Sequence, residues 1–237
     1  VIDNKDSFNF HVRDTYEAGA QLGKKKIIET IVEEGPEAIQ YLIQKGTLFT
    51  VKNPRLDRSL ENLSLTKEGG HSQQRVAYAA DSTGHEIMQA LIENCYENPQ
   101  IDIFENHIAV DLITQHHIPQ TDGFIPRITC WGAYILDIDN GKIKTFVSKK
   151  TMLATGGAAQ VYLQSTNPDV ATGDGVAMAR LAGARVANME FVQFHPTAFY
   201  SPDGHTFLIT EALRGEGAVL RLQDGNTFMD RYHQMGS

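Results

Sequence analysis

A short apolar run, Thr151-Met152-Leu153-Ala154, passes directly into Thr155-Gly156-Gly157-Ala158-Ala159. Without bulky side chains, such a crossing lets the backbone come close to a ligand. A second crossing, Thr172-Gly173-Asp174-Gly175, leads into a small-residue helix, Val176 to Leu181, that ends at Gly183. Its acidic residue sits at a helix start, where a carboxylate can cap amides or bind a hydroxyl. Strands and helices that alternate through glycine-rich crossings predict an α/β fold, with an α+β segment near the end.

Periodicity supplies the other elements. Ile27, Ile28, Ile31 and Val32 share one helical face between Lys24 and Glu34. Gly35-Pro36 is expected to end that helix and open a second, with Ile39, Leu42 and Ile43 inward, that stops at Gly46. The polar stretch from Asn53 to Gly70 reads as a long surface loop, and long loops in compact domains often carry function. Thr83-Gly84-His85-Glu86 has the form of a capping box, with Thr83 as N-cap of a helix that reaches Glu97. Strands are predicted at Ile101 to Phe104, Ile108 to Ile113, Phe191 to Phe194 and Phe207 to Ile209, besides the run at Thr151. Ala133 to Ile138 and Lys142 to Val147 read as a hairpin across Asn140-Gly141, a pair suited to a type I′ turn.

Charge and cysteine content narrow the partners. A formal net charge of -8, with Lys24-Lys25-Lys26 as the one short basic cluster, argues against nucleic acid, which needs clustered cations. Cys95 and Cys130 make neither a disulfide framework nor a Cys-x-x-Cys metal pair, so a cytoplasmic compartment is expected. No apolar run approaches the roughly 18 residues needed to span a bilayer. Val1-Ile2-Asp3-Asn4 carries neither an initiator Met nor a signal pattern, and the segment is expected to be internal to a longer protein.

Several residues have the chemistry of a site. Phe194-His195-Pro196-Thr197 puts a histidine at the end of an apolar run beside a proline that cannot continue a ladder. That histidine serves either as a satisfied structural residue or as a ligand contact. The second role gains from Thr210-Glu211, a hydroxyl and a carboxylate at a strand-to-helix junction where free amides favour an anion. Asp174 reads as a simple N-cap or a ligand contact, and Glu68, beside Gly69-Gly70, as a solvated or a functional loop carboxylate. His116-His117 lacks a third ligand at metal spacing, so no metal is expected. Ser72 lies in no nucleophile elbow, which sets hydrolysis aside.

Seven segments occur in one order: Asp6-Ser7 with Asp14-Thr15 and Ala18-Gly19; Thr66 to Ser72; Leu153 to Gly157; Asn167-Pro168-Asp169; Gly173 to Gly175; Glu190 to Thr197; and Thr210 to Gly217. Together they resemble the L-aspartate oxidases of the succinate dehydrogenase and fumarate reductase flavoprotein superfamily, across essentially the whole chain. The glycine-rich pieces are common, whereas Glu-Gly-Gly-His-Ser, Phe-His-Pro-Thr and Thr-Glu-Ala-Leu-Arg-Gly-Glu-Gly in this order are specific.

The resemblance implies an oxidoreductase that converts L-aspartate to iminoaspartate by hydride transfer to non-covalently held FAD, with oxygen or fumarate as acceptor, in de novo NAD biosynthesis alongside quinolinate synthase. It implies that Glu68, His195, Thr210 and Glu211 contact substrate, with Glu68 facing its ammonium. Ala109, Ala154, Thr155, Gly156 and Asp174 are implied FAD contacts. No catalytic residue is expected within the segment, because the family's proton-transfer Arg would follow Ser237. Residues 1–194 are expected to form a partial, Rossmann-like FAD-binding domain without its N-terminal βαβ unit and its Gly-x-Gly-x-x-Gly motif. Residues 195–237 are expected to begin an α+β substrate-capping domain, and the segment alone to be inactive. The competing readings are a succinate dehydrogenase or fumarate reductase flavoprotein subunit, which Thr83-Gly84-His85 and Phe228 to Tyr232 resemble equally, and a non-catalytic flavoprotein-fold module.

Overall fold

In a computed structural model that describes residues 2–3, 5–80, 82–117, 128–195, 197–201, 206–210, 213 and 217–232, the chain divides into two units. Val1–Ile103 with Thr210–Ser237 form one, and Phe104–Ile209 the other.

The first unit begins with a helix that periodicity did not single out, α1 (Phe8–Ala18). Ser7 caps it, its hydroxyl accepting from the Phe10 amide at 3.2 Å, and Val12 and Asp14 form its buried face against α2 (Lys25–Gln44). The expected break at Gly35-Pro36 does not occur, and α2 runs through Pro36 as one helix. A proline ring disfavours helical backbone in the preceding residue by pressing on its Cβ, and Gly35 has none. The expected stop does occur, with Gly46 left-handed at φ 97°.

The helix α3 (Thr83–Glu97) has the predicted span, but its capping box does not form. Thr83 Oγ1 instead accepts from the Ala79 amide at 3.0 Å, and Glu86 Oε1 from the Leu48 amide at 2.9 Å. Both side chains thereby tie α3 to neighbouring chain rather than to its own first turn. Thr47, Phe49 and Leu63, all nearly inaccessible, lie at the centre of this unit. Residues 47–52 are stitched on either side by Thr50 N to Tyr78 O (2.8 Å), Lys52 N to Asn62 O (2.7 Å) and Ser64 N to Thr50 O (2.9 Å). The stretch read as a surface loop is therefore partly internal, and Leu65–Thr66 pairs as β1 with antiparallel β2 (Val76–Ala77).

The second unit is built on an antiparallel sheet of β3 (His107–Leu112), β4 (Gly132–Asp137) and β5 (Lys142–Val147), in that order. The β4–β5 hairpin forms as predicted, with Asp137 opposite Lys142, but not through a type I′ turn. That turn needs positive φ at both central residues, whereas Gly141 (φ 65°) adopts it and Asn140 does not. Asn140 Nδ2 instead donates to Asp137 Oδ2 at 2.6 Å. The helix α4 (Asp174–Leu181) packs on β3, its Met178 joining Leu112 and Ala133 in a small core. A second hairpin, β6 (Ala198–Tyr200) with β7 (Thr206–Leu208), meets the expected strand at Phe207 to within a residue.

Three predicted strands are absent: Ile101 to Phe104, Thr151 to Ala154 and Phe191 to Phe194. A strand exists only when a neighbour completes its hydrogen-bond ladder, and none of the described strands pairs with these runs. Met152 is accordingly 89% exposed and Phe194 71%.

Gly132 (φ 139°) is where the main sheet is least forgiving, because a Cβ there would stand 1.8 Å from the Phe146 carbonyl oxygen. Gly132→Ala should cost about 1–3 kcal/mol, as overpacking does, and a calorimetric melt that matches the parent would contradict this packing.

Candidate functional site

The two glycine-rich crossings meet in the second unit. Gly173 N donates to Gly157 O at 3.1 Å, and a Cβ on Gly175 would stand 1.9 Å from Thr155 Oγ1. A Cβ on left-handed Gly173 would lie 2.8 Å from that of Ala158. The missing side chains thus serve first to dock one crossing on the other. The docking opens a pocket of about 410 Å³ between α4, β3 and the Thr155 crossing, lined in part by His107, Ala109, Thr155, Asp169, Thr172 and Asp174.

Three of the five expected cofactor residues, Ala109, Thr155 and Asp174, are brought together there; Ala154 and Gly156 flank Thr155, exposed, outside the lining. Asp174 is not an N-cap, since Gly173 takes that position. Asp174 is the first helical residue, and its Oδ1 accepts from Thr172 Oγ1 at 2.9 Å. Two carboxylates, Asp169 and Asp174, repel phosphate and accept from hydroxyls, so the pocket fits the sugar or ring portion of a dinucleotide. The sequence reading missed His107, Asp169 and Thr172 as lining residues. His107 Nε2 is buried without a hydrogen-bond partner, while Nδ1 meets the Glu105 carbonyl at 2.5 Å.

His195 also lies in this unit, half-buried, its Nδ1 within 2.8 Å of the Thr197 carbonyl and 3.1 Å of the Thr197 amide. If Nδ1 accepts from the amide the ring proton sits on Nε2; if it donates to the carbonyl, Nε2 is the acceptor. Either tautomer pins the ring at the end of the apolar run. Pro196 and Glu211 lie outside the described residues. Thr210 belongs to the first unit and is exposed, its carbonyl accepting from the Leu213 amide at 3.3 Å.

Glu68 is in the first unit, exposed on a tight turn. The His71 amide donates to the Glu68 carbonyl at 3.2 Å, the Glu68 amide reaches His71 Nδ1 at 3.3 Å, and Gly70 (φ 81°) completes the bend. Next to the turn is a buried charge network that the sequence reading did not anticipate. Arg75 donates from Nε and Nη2 to the two oxygens of Asp6 (2.8 and 2.7 Å) and from Nη1 to Asp14 Oδ2 (2.7 Å), all three side chains at most 6% exposed. The same Asp14 oxygen accepts from the Ser72 amide at 2.8 Å and the Ser72 hydroxyl at 2.5 Å. The available signal was Arg75 at the head of the apolar run Val76-Ala77-Tyr78-Ala79-Ala80, since a cation that is buried needs an acid. Breaking such a pair costs about 3–5 kcal/mol, because the remaining charge stays buried.

Burial by itself would raise the Asp14 carboxyl, but the Ser72 hydroxyl and amide and the Arg75 guanidinium outweigh it and hold the group well below its usual 3.8. Burial, Arg75 and His71 depress the proton affinity of His11, whose ring meets that of His71 edge-on at 6.2 Å. A carboxyl depressed on folding contributes stability that is complete above the unfolded value and is lost as pH falls towards the folded one. Asp14→Asn should therefore lower stability at neutral pH and flatten the acid limb below about pH 4, in urea unfolding series from pH 2 to 7. In the pocket between the crossings, Gly175→Ala should lower the thermal midpoint, and adding Thr155→Ala should recover it. A single variant that melts like the parent would refute the close docking.

Among the described residues, no helix is long and apolar enough to cross a membrane, and no three His, Cys, Asp or Glu side chains are grouped to hold a metal.

The docked crossings, with hydroxyl acceptors at a helix start, are those of a nucleotide-cofactor fold, and the family described as "FAD binding domain" matches residues 2–236. The chain belongs to that family, and its cofactor is FAD. Over 234 residues it is 47% identical to L-aspartate oxidase 1 of Ralstonia nicotianae, covering 99% of this chain and 42% of that protein. It is 47% identical over 237 residues to the L-aspartate oxidase of Acinetobacter baylyi, covering 99% and 41%. The chain thus spans about two fifths of the length of these relatives. Among solved structures, a point mutant of the Escherichia coli quinol fumarate reductase FrdA superposes with a TM-score of 0.82 at 28% identity, covering 98% of this chain and 36% of that one. The Mycobacterium smegmatis Sdh1 complex with UQ1 superposes with a TM-score of 0.72 at 31% identity, covering 98% and 38%.

Proposed function

We propose that the chain is part of an FAD-dependent L-aspartate oxidase, which oxidises L-aspartate to iminoaspartate with oxygen or fumarate as electron acceptor. The observation that carries this reading is 47% identity over 99% of the chain to a protein of that name. FAD, when bound, supplies the hydride acceptor. Ala109, Ala154, Thr155, Gly156 and Asp174 hold it, the first through main chain and Asp174 through hydroxyl acceptance.

The substrate is oriented by its charges. The Glu68 carboxylate meets the ammonium, and His195 and Thr210 donate to a carboxylate. Glu211 orients a neighbouring donor rather than facing substrate, because two adjacent carboxylates repel. No residue of this chain is assigned the proton transfer. Residues 1–194 serve as the FAD-binding part and residues 195–237 as the start of a capping domain that excludes water from the reacting atoms. The apolar runs at 101–104, 151–154 and 191–194, left without ladders, support a chain that is completed by further sequence. The reaction is placed in the cytoplasm, with iminoaspartate passing to quinolinate synthase.

A succinate dehydrogenase or fumarate reductase subunit is the second reading, favoured by the superposition on FrdA. The two readings part at the ammonium, which succinate lacks. In the full-length protein, Glu68→Gln should raise KM for L-aspartate about tenfold, equivalent to about 1.4 kcal/mol, and leave inhibition by succinate unchanged. His195→Ala should weaken both. Succinate turned over as readily as L-aspartate by the parent protein would overturn the aspartate reading.

A further inference from the structure

We propose that Asp14 is a positioning residue for Glu68, acting through Ser72 and the turn closed by His71 to set where the Glu68 carboxylate meets the ammonium of an amino dicarboxylate. This inference rests on the ammonium role of Glu68 and goes beyond it, since Asp14 itself touches no substrate.

The geometry runs in a short chain of contacts. Asp14 is fixed in α1, and its Oδ2 accepts from the Ser72 amide (2.8 Å), the Ser72 hydroxyl (2.5 Å) and Arg75 Nη1 (2.7 Å). Three donors converging on one nearly inaccessible oxygen leave Ser72 little freedom. Ser72 follows His71, whose amide and ring nitrogen both hold the Glu68 backbone, at 3.2 and 3.3 Å. The ring of His71 is further confined by the edge-on contact with His11 on α1. The far end of the segment is anchored as well, because Arg75, immediately before β2, bonds Asp6 with two nitrogens.

Glu68 itself is exposed, and among the described residues no side chain pairs with its carboxylate. A mobile exposed carboxylate gives up much of its Coulomb gain to the entropy of being ordered. Fixing its backbone in advance removes part of that cost, which is how preorganisation raises affinity. The brace therefore acts on recognition of the ammonium and leaves the carboxylate-binding groups untouched.

A double-mutant cycle in the full-length enzyme tests this, with KM for L-aspartate, the inhibition constant of succinate and the thermal midpoint as readouts. Ser72→Ala keeps the amide bond to Asp14 and so preserves the fold. It should raise KM for L-aspartate about three- to tenfold without moving succinate inhibition, Ser72→Thr should restore it, and in a Glu68→Gln background it should add less than about twofold, as coupled residues do. Asp14→Asn should show the same pattern, larger; where it fails to fold, Ser72→Ala decides. Equal changes for L-aspartate and succinate, or effects additive with Glu68→Gln, would show that the network only holds the fold and would overturn the inference while the role of Glu68 stands. A Glu68→Gln enzyme with unchanged KM for L-aspartate removes that role, and this inference falls with it.

Discussion

The first unit depends on one buried guanidinium. Arg75 places a fork on Asp6 and a third nitrogen on Asp14, joining the chain just before α1, the middle of α1 and the residue preceding β2 at one point. The planar fork matters, because an ammonium in the same place has neither the reach nor the fixed directions to serve two carboxylates at once. One cation between two anions leaves a net negative charge, which is tolerable in a buried place because Ser72 adds two more donors to the oxygen that Arg75 shares. Beside this cluster lies a cavity of about 370 Å³ in which Asp6, His11 and Arg75 share the lining with apolar Val32, Ile39, Leu65 and Val76.

The second unit is organised by steric closeness rather than charge. With Cβ atoms on Gly173 and Gly175, α4 could not lie against the Thr155 crossing, and β3 would lose the helix that gives its core Met178. The same closeness brings Asp174, Thr155 and Ala109 around one pocket, although they are distant in sequence. The same small residues thus set both the packing of α4 and the shape of the pocket.

What was legible in the sequence follows this division. The crossings, the helix from Asp174, the span of α3 and the β4–β5 hairpin could be read, because glycine, small residues and local periodicity encode them within a few neighbours. Gly35-Pro36 does not break the helix as a proline usually would, because the residue before the proline has no side chain to clash. Thr83 and Glu86 depart from expectation in the opposite way, since a local capping pattern is used for tertiary bonds to Ala79 and Leu48. The three apolar runs without ladders show that strand propensity is a statement about available partners. Of the Asp6–Asp14–Arg75 network only Arg75, at the head of an apolar run, was legible, because the two aspartates look like ordinary surface residues until their partner, far along the chain, is brought to them.

That distance has a bearing on how the chain comes to exist. Arg75 lies 69 residues after Asp6 and 61 after Asp14, so during synthesis the aspartates emerge roughly 3–14 s before it, at about 5–20 residues per second. Through that interval both are ordinary solvated anions, and α1 has no reason to bury its polar face. Contacts this remote in sequence must close a long loop before they return any energy. The turn that carries Glu68 is therefore completed with a long-range closure rather than with the local helices. The place of the Glu68 side chain is thus settled only when the segment around it has finished folding.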